Sequence, residues 1–520
     1  MGALAAALLL GSAAGPQAQA RFDLLIRGGL VVDGSGAPAR RADVGVTGDR
    51  IRAVGDLSAA TAGTVIDAAG RYVTPGFIDV HSHAGPGLAT SELKQGRPVL
   101  AQGITTVLVN PDGGGPVDLT AQRATYQRSG IGLNVGLMVP HGSVRRAVLG
   151  MTDRDPSPAE QAKMNALVRD GMRAGAFGLS SGLYYAPGSY SKTAEVVAMA
   201  REAAVAGGSY SSHIRDEADY GVGVVAAVDE VIEIVEKAGL TGVVTHMKAL
   251  GPASWGLSQT LVAHIEAARS RGVKVFADQY PYEASGTGIV GALLPRWAQV
   301  GGREVMLRRV TGELRGKVRD EVKANLARRG GADTFLVSEY DPDTSIEGKR
   351  LSDLAEAAGL APEEYALTLL EKGDAGLVSF NMSEDDIALI MRQPWTMTCT
   401  DGGLQPMTEG KPHPRAYGAF PRKLQRYVRE RQVVDLPFAI RSMTALAAEV
   451  FGVKDRGVVR AGAFADLLVF DLAQVAETAT YEDPHQLAAG FDAIVVNGRA
   501  VRTGGSFAAL LPGRVLRLER

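Results

Sequence analysis

Thr74-Pro-Gly-Phe-Ile-Asp-Val-His-Ser-His83 is the stretch on which the reading of the chain turns. A Pro-Gly turn opens it, the apolar residues Phe77, Ile78 and Val80 follow, and two histidines one residue apart close it. That pattern predicts a short buried strand running out at a turn. Alternate residues of a strand share a face, so His81 and His83 can converge on one point. Two imidazoles so close suit a borderline-soft divalent cation such as zinc, and the competing reading is a pair of hydrogen-bonded structural histidines.

The flanking sequence repeats the same strand-then-turn texture. Candidate strands lie at 77–83, 104–110, 134–140, 176–182, 209–214, 242–248, 273–281 and 395–401. Apolar residues recur with helical periodicity between several of them, at 195–206, 224–238 and 257–271. Strands alternating with helices predict a parallel sheet, and eight such units close an α/β fold, the (β/α)8 TIM barrel, with its chemistry at the C-terminal strand ends. The ends of the chain differ from the middle. Phe22-Asp-Leu-Leu-Ile-Arg27 and Ala465-Asp-Leu-Leu-Val-Phe-Asp471 are β-rich pieces bounded by turn residues. Residues 21–74 and 455–520 are therefore expected to form a small β-sandwich domain built from both termini, flanking a barrel over 75–454. The stretch from about 288 to 345 is rich in Arg, Lys and Glu and reads as an inserted subdomain or lid.

Composition narrows the partners. A chain of 520 residues with a formal net charge of −2 has no general electrostatic attraction for nucleic acid or an anionic membrane. Ala3 to Ala14 is almost wholly small or apolar, too short for a membrane span, and Gln17-Ala-Gln-Ala20 resembles the site preceding signal-peptide cleavage. Residues 1–20 are thus expected to be a cleaved export signal, although a basic leading segment is missing. The expected location is periplasmic or secreted, and cytoplasmic if the segment is not a signal. Cys399 is the single cysteine, which excludes an intramolecular disulfide.

Residues suited to metal binding fall at the predicted strand ends. They are His81 and His83, Asp112 within Asn110-Pro-Asp112, His141 within Pro140-His-Gly142, His213, His246 and Asp401. One histidine alone is more often structural than a ligand, but ligand-type residues ending several separate strands predict a metal centre. His264, mid-helix, and His485, in a loop, read as structural or surface residues. His413 sits in the rigid Lys411-Pro-His-Pro-Arg415 loop, placed to line the site. His141 is open to three readings: ligand, substrate contact or loop brace. Asp112-Gly-Gly-Gly-Pro116 lacks the Lys-Ser/Thr of a phosphate-binding loop, so its glycines are read as a close backbone approach beside the metal.

Taken in this order, the residues resemble the amidohydrolase superfamily, and more closely its N-acyl-D-amino-acid deacylase (D-aminoacylase) family. The similarity includes Pro75-Gly-Phe-Ile-Asp-Val-His-Ser-His83, Gln102-Gly-Ile-Thr-Thr-Val107, His141-Gly-Ser-Val-Arg145 and Gly178-Leu-Ser-Ser-Gly-Leu183. It continues through Ser212-His-Ile-Arg215, His246-Met-Lys248, Asp278-Gln-Tyr-Pro-Tyr282, Pro412-His-Pro-Arg415 and Asp466-Leu-Leu-Val-Phe-Asp471. The resemblance implies hydrolysis of N-acyl-D-amino acids to a carboxylate and a free D-amino acid. The alternative is the same chemistry on a cyclic amide, or on a dipeptide or C-terminal peptide bond. One or two zinc ions are implied, His213 and His246 holding the tighter one and His81 and His83 the other. Asp401 is implied as ligand and as the acid–base group that takes the water proton and gives it to the departing amine; an N-cap is its structural alternative. Lys248 and Tyr280 are implied substrate contacts, with His141 a further candidate, and Arg415 would pair with the substrate carboxylate through its guanidinium fork. Two departures stand out. Asp112 replaces the family's metal-binding cysteine and is expected to bridge two metals or complete one site, and Ala84 stands where an acidic residue commonly follows the histidine pair.

Overall fold

In a computed structural model, which describes residues 21–519, the eight expected strands meet edge to edge in a closed ring. The first two are Phe77–Ser82 and Ile104–Val109. The third is Asn134–Leu137, resumed after Met138 as Val139–Pro140. Gly178–Gly182, Ser209–His213, Gly242–Val244, Val275–Gln279 and Thr396–Thr398 follow. Every neighbouring pair within the two barrel sheets is parallel, and the interrupted third strand joins those sheets by pairing with the second strand and then the fourth. The last strand closes on the first. His83 N donates to Gly402 O at 3.0 Å and Asp401 N to His81 O at 3.0 Å, beside a parallel bridge between His83 and Gly403.

Parallel strands covered on both faces have no exposed side, so these runs lack the alternating exposure of a half-exposed sheet: every residue in them but Phe276 is buried, polar ones such as Ser180, Ser211 and Thr398 included. The covering helices show the opposite pattern. Helix Val224–Ala238 turns Val228, Val231, Ile232 and Val235 inward and ends at Gly239, whose φ of 73° needs no Cβ. Each such side chain contributes about 1.5–3 kcal/mol on full burial. Helix Pro158–Arg173 starts on a reciprocal capping box between Ser157 and Glu160, a device contributing about 1 kcal/mol. One charged group is buried beneath the eighth strand: Lys423 Nζ donates to Thr398 Oγ1 and Ser442 Oγ, both at 2.8 Å.

The terminal strands form one nine-stranded sheet. It places Leu467–Phe470 from the C-terminal part beside Tyr72–Pro75 from the N-terminal part. The two walls of the expected sandwich are continuous, because the sheet rolls until its far edge meets the C-terminal segment, with Ile51 N donating to Ala463 O and Ala465 N to Asp49 O. Between the walls lie Ile26, Val44, Val46, Val73, Leu467, Val469 and Val495.

The inserted unit is larger than residues 288–345. Its antiparallel strands are Ala284–Gly288, Phe335–Glu339 and Gly376–Phe380, the last at its centre. Its helices include Arg303–Thr311, Arg315–Arg328 and Pro362–Lys372, around a separate core with Ile289, Val318, Phe335, Leu370 and Leu377. Charge richness marked only its solvated helices; the central strand lies beyond them in sequence. The unit sits between the seventh and eighth barrel strands, on the rim that carries the candidate ligands. The expected export signal, residues 1–20, lies outside the described residues.

Candidate metal centre

Two buried carboxylates below the rim set the positions of the ligand-bearing backbone. Asp79 accepts from Thr400 N at 3.0 Å, Thr400 Oγ1 at 2.6 Å and His81 N at 3.3 Å, tying the first strand to the eighth. Burial outweighs these bonds and pushes its pKa up to about 6. Asp278 accepts from His246 N at 2.6 Å. Above them the chain turns sharply: Asn110, Asp112, His246 and Asp401 have φ values of 66°, 54°, 35° and 48°. Left-handed backbone costs a non-glycine residue about 1–3 kcal/mol and persists where the surroundings enforce it. Here it aims side chains across the barrel mouth. Gly113, at φ 67°, is hemmed in so that a Cβ would meet Gly142 N at 2.9 Å and Gly182 N at 3.0 Å. Gly113 therefore serves close backbone packing, as its sequence context suggested.

The aimed side chains form two overlapping groups, His81–Asp112–His246–Asp401 and His213–Glu217–His246, with one ligand atom from each member within 4.8 Å of the others in its group. Asp112 lies among three imidazoles. Its Oδ1 is 3.3 Å from His81 Nε2 and 3.6 Å from His246 Nε2, and its Oδ2 is 3.3 Å from His83 Nε2. Asp401 Oδ1 is 3.1 Å from His83 Nε2 and 3.5 Å from His81 Nε2, while its Oδ2 meets Arg415 Nη1 at 2.8 Å. In the second group Glu217 Oε1 lies 3.1 Å from His246 Nδ1 and 4.0 Å from His213 Nε2. His246 belongs to both groups, one ring nitrogen facing each carboxylate.

The donor chemistry fits a divalent cation. His81 Nε2 and Asp112 Oδ1 are buried with no hydrogen-bond partner among the described residues, and both point into the cluster. Burial works against the charge on Asp112, yet the His81 charge and the facing imidazoles of His246, His81 and His83 hold it well below the usual carboxylate range. Asp401 is held low in the same way, against burial, by Arg415 and then His246. His83 is pushed up to about 9, the Asp112 and Asp401 carboxylates outweighing burial, so a cation entering here displaces imidazole protons. His213 differs. Burial, opposed by Glu217, pushes it down to about 4, and its Nδ1 lies 3.1 Å from Ile214 O. That contact assigns the proton to Nδ1 and leaves the Nε2 lone pair toward Glu217 and the cluster.

A cavity of about 1140 Å³ opens over both groups. Lys248, Tyr280 and Arg415, expected to touch substrate, all line it. Lys248 Nζ donates to Glu217 Oε1 at 2.5 Å and to His246 O at 2.7 Å. The Arg415 guanidinium carbon lies 4.6 Å from the Tyr280 ring centroid. His141 does not line the cavity, which corrects its expected place among the substrate contacts. It is wholly buried with Nε2 3.1 Å from Glu195 Oε1, and Glu195 also pairs with Arg145, so His141 braces the loop after the third strand. His413 is likewise a brace: Nε2 donates to Ala284 O at 2.9 Å and Nδ1 accepts from Arg415 N at 3.0 Å. Cys399 is packed in the barrel core and belongs to neither ligand group.

Four residues at the site were not singled out from sequence: Glu217, Tyr184, Tyr185 and Arg329. Tyr184 stacks on His213 with ring centroids 5.2 Å apart, and Tyr185 meets the same imidazole edge-on at 4.7 Å. The available signals were an acid four residues after His213 and an aromatic pair directly after the fourth strand.

Known proteins resemble the chain along almost all its length. The model of the amidohydrolase family matches residues 64–502. An N-acyl-D-glutamate deacylase of Alcaligenes xylosoxydans xylosoxydans is 37% identical over 531 residues, covering 96% of this chain and 98% of that protein. A D-aminoacylase of the same organism is 35% identical over 518 residues, covering 95% and 97%. The crystal structure of N-acyl-D-glutamate deacylase from Bordetella bronchiseptica, complexed with zinc and a phosphonate mimic of the tetrahedral intermediate, matches with a TM-score of 0.83 and 35% identity, over 96% of this chain and 100% of that one.

Proposed function

Since the chain belongs to the amidohydrolase family, we propose that it hydrolyses the amide bond of N-acyl-D-amino acids to a carboxylate and a free D-amino acid, using zinc at the barrel rim. The observation that carries this reading is the convergence of His81, His83, Asp112, His213, His246 and Asp401 beneath the cavity, with Arg415 against Asp401 in its wall. Those six residues would hold the zinc. Asp112 suits a bridging place, since a carboxylate offers two oxygens and Asp112 faces imidazoles with both. When bound, zinc supplies Lewis-acid activation of a water and of the scissile carbonyl.

The remaining chemistry falls to the chain itself. Asp401, kept ionised against burial by Arg415 and His246, is ready at neutral pH to take the proton of the attacking water. The same carboxyl then gives that proton to the departing amine. Arg415, ion-paired to Asp401 through Nη1, retains Nε without a hydrogen-bond partner among the described residues, and its guanidinium can receive the substrate α-carboxylate. Tyr185 lines the cavity and stays protonated, its pKa pushed well up by burial and then by Asp112; its hydroxyl, which donates to Thr287 Oγ1 at 3.3 Å, can turn to donate to the developing oxyanion. Lys248 is anchored to Glu217 and offers a further cation at the wall.

The test is release of free amino acid by protein stripped with chelator and reconstituted with zinc, across N-acetyl-D-amino acids, their L-enantiomers, dipeptides and cyclic amides. Zinc-restored turnover of the N-acetyl-D series is expected. Turnover confined to dipeptides or cyclic amides, or indifferent to zinc, refutes the reading.

A further inference from the structure

Three buried basic side chains line the cavity, and two have an acid of their own. Lys248 is paired with Glu217 and Arg415 with Asp401. The third, Arg329, is 2% exposed, and among the described residues it is ion-paired to no carboxylate. Its guanidinium meets only neutral acceptors. Nε donates to Tyr220 OH at 2.5 Å, Nη2 to Tyr184 OH at 3.3 Å, and Nη1 to the Asn381 amide oxygen at 3.2 Å once that amide is turned to face it. A guanidinium has five N–H groups, so one on each terminal nitrogen is uncommitted. Two such donors on one planar group match the two oxygens of a carboxylate.

The setting makes this an unusual place for a lone charge. Burying a cation without a counter-charge is costly, and a second ion supplied at the cavity wall removes that cost. The group is also rigidly held. Tyr184 stacks on His213, and the Arg296 guanidinium carbon lies 3.9 Å from the Tyr184 ring centroid. Arg329 therefore stands one aromatic ring away from a candidate metal ligand. It follows directly on helix Arg315–Arg328, so the inserted unit delivers it to the barrel mouth.

We propose that Arg329 binds a second carboxylate of the substrate, making the protein selective for N-acyl-D-amino acids that carry an acidic group besides the α-carboxylate. The inference rests on the deacylase reading and sharpens its substrate class. The extra carboxylate can sit on the amino-acid side chain or on the acyl group, and the test separates these.

The experiment measures kcat/KM of zinc-loaded wild type, Arg329→Met and Arg329→Lys on four substrates: N-acetyl-D-glutamate, its neutral isostere N-acetyl-D-glutamine, N-acetyl-D-leucine and N-succinyl-D-leucine. Wild type is expected to favour the glutamate over the glutamine substrate on the order of 100-fold, the scale of a charged hydrogen-bonded pair. Arg329→Met should erase that preference while keeping turnover of N-acetyl-D-leucine, which also shows that the variant folds; Arg329→Lys should fall between. A preference for N-succinyl- over N-acetyl-D-leucine, lost in Arg329→Met, supports the proposal with the carboxylate on the acyl side. Equal treatment of charged and neutral substrates by wild type overturns it, as does an equal loss on all four in Arg329→Lys. If wild type turns over none of them, calorimetry with D-glutamate and D-glutamine decides: selective binding keeps the Arg329 subsite and rejects the deacylase reading, and no selectivity rejects the subsite.

Discussion

Replacing Lys423 by Met should raise stability most at low pH, and the size of the effect follows from the burial of that ammonium. Among the described residues its hydrogen-bond partners are two hydroxyls, and burial pushes its pKa down to about 7 from the ordinary 10.5. Below pH 7 the lysine is charged in both folded and unfolded chains, so the full penalty of burying the charge applies. Between about 7 and 10.5 the unfolded chain holds a proton that the folded chain has released, so stability rises with pH across that window. A displacement of 3–4 units corresponds to about 5 kcal/mol at 1.36 kcal/mol per unit, taken as an upper bound. The lost hydrogen bonds return about 1 kcal/mol each, independently of pH. Unfolding entropy of about 2 cal/mol/K per residue makes 1 kcal/mol worth about 1 °C in a chain of 520 residues. Lys423→Met should therefore melt about 3 °C above wild type near pH 6, and that gap should close or reverse by pH 9. Scanning fluorimetry of both proteins at matched zinc, at half-unit steps from pH 6 to 9.5, reads it. A gap that stays constant across the range refutes the assignment of a strained, buried ammonium.

Three further predictions concern the centre. Asp401→Asn should retain zinc by elemental analysis yet lose at least about 100-fold in kcat, as expected for removal of a general acid–base group; near-normal turnover would move the proton transfer elsewhere. Asp112→Ala should lower zinc stoichiometry, and Asp112→Cys should restore it, because a thiolate can take the same place; unchanged metal content in Asp112→Ala removes Asp112 from the ligand set. Glu217→Gln should weaken zinc binding about 10–100-fold in a chelator competition, the usual cost of losing a carboxylate behind a metal-binding imidazole. Equal affinity would confine Glu217 to holding Lys248.

What the sequence revealed, and what it withheld, follows from the range of the interactions involved. His81 and His83 could be placed because a strand's two-residue repeat fixes their common side without any partner being known. The barrel was legible for the same reason, each unit announcing itself through its own period. His141 was not, since its role is set by Glu195, 54 positions away. Glu217 lies in irregular chain after the fifth strand, where no periodicity states which way a side chain faces. Arg329 sits among the charged residues that made the insertion look like solvated surface, and only the packing of Tyr184 and Tyr220 separates it from them. The insertion's extent was misjudged because its central strand, Gly376–Phe380, pairs with Ala284–Gly288 from the unit's opposite end.

The seam that closes the barrel has a consequence for the timing of activity. The backbone bonds joining His81 and His83 to Asp401 and Gly402 are formed by the very residues that gather at the centre. His83 and Asp401 are 318 positions apart, so during synthesis the first half of the centre leaves the ribosome long before the second. A growing or truncated chain thus carries an unfinished centre, and hydrolysis begins only when the ring is shut. Completion of the ring is, in this molecule, a precondition for catalysis.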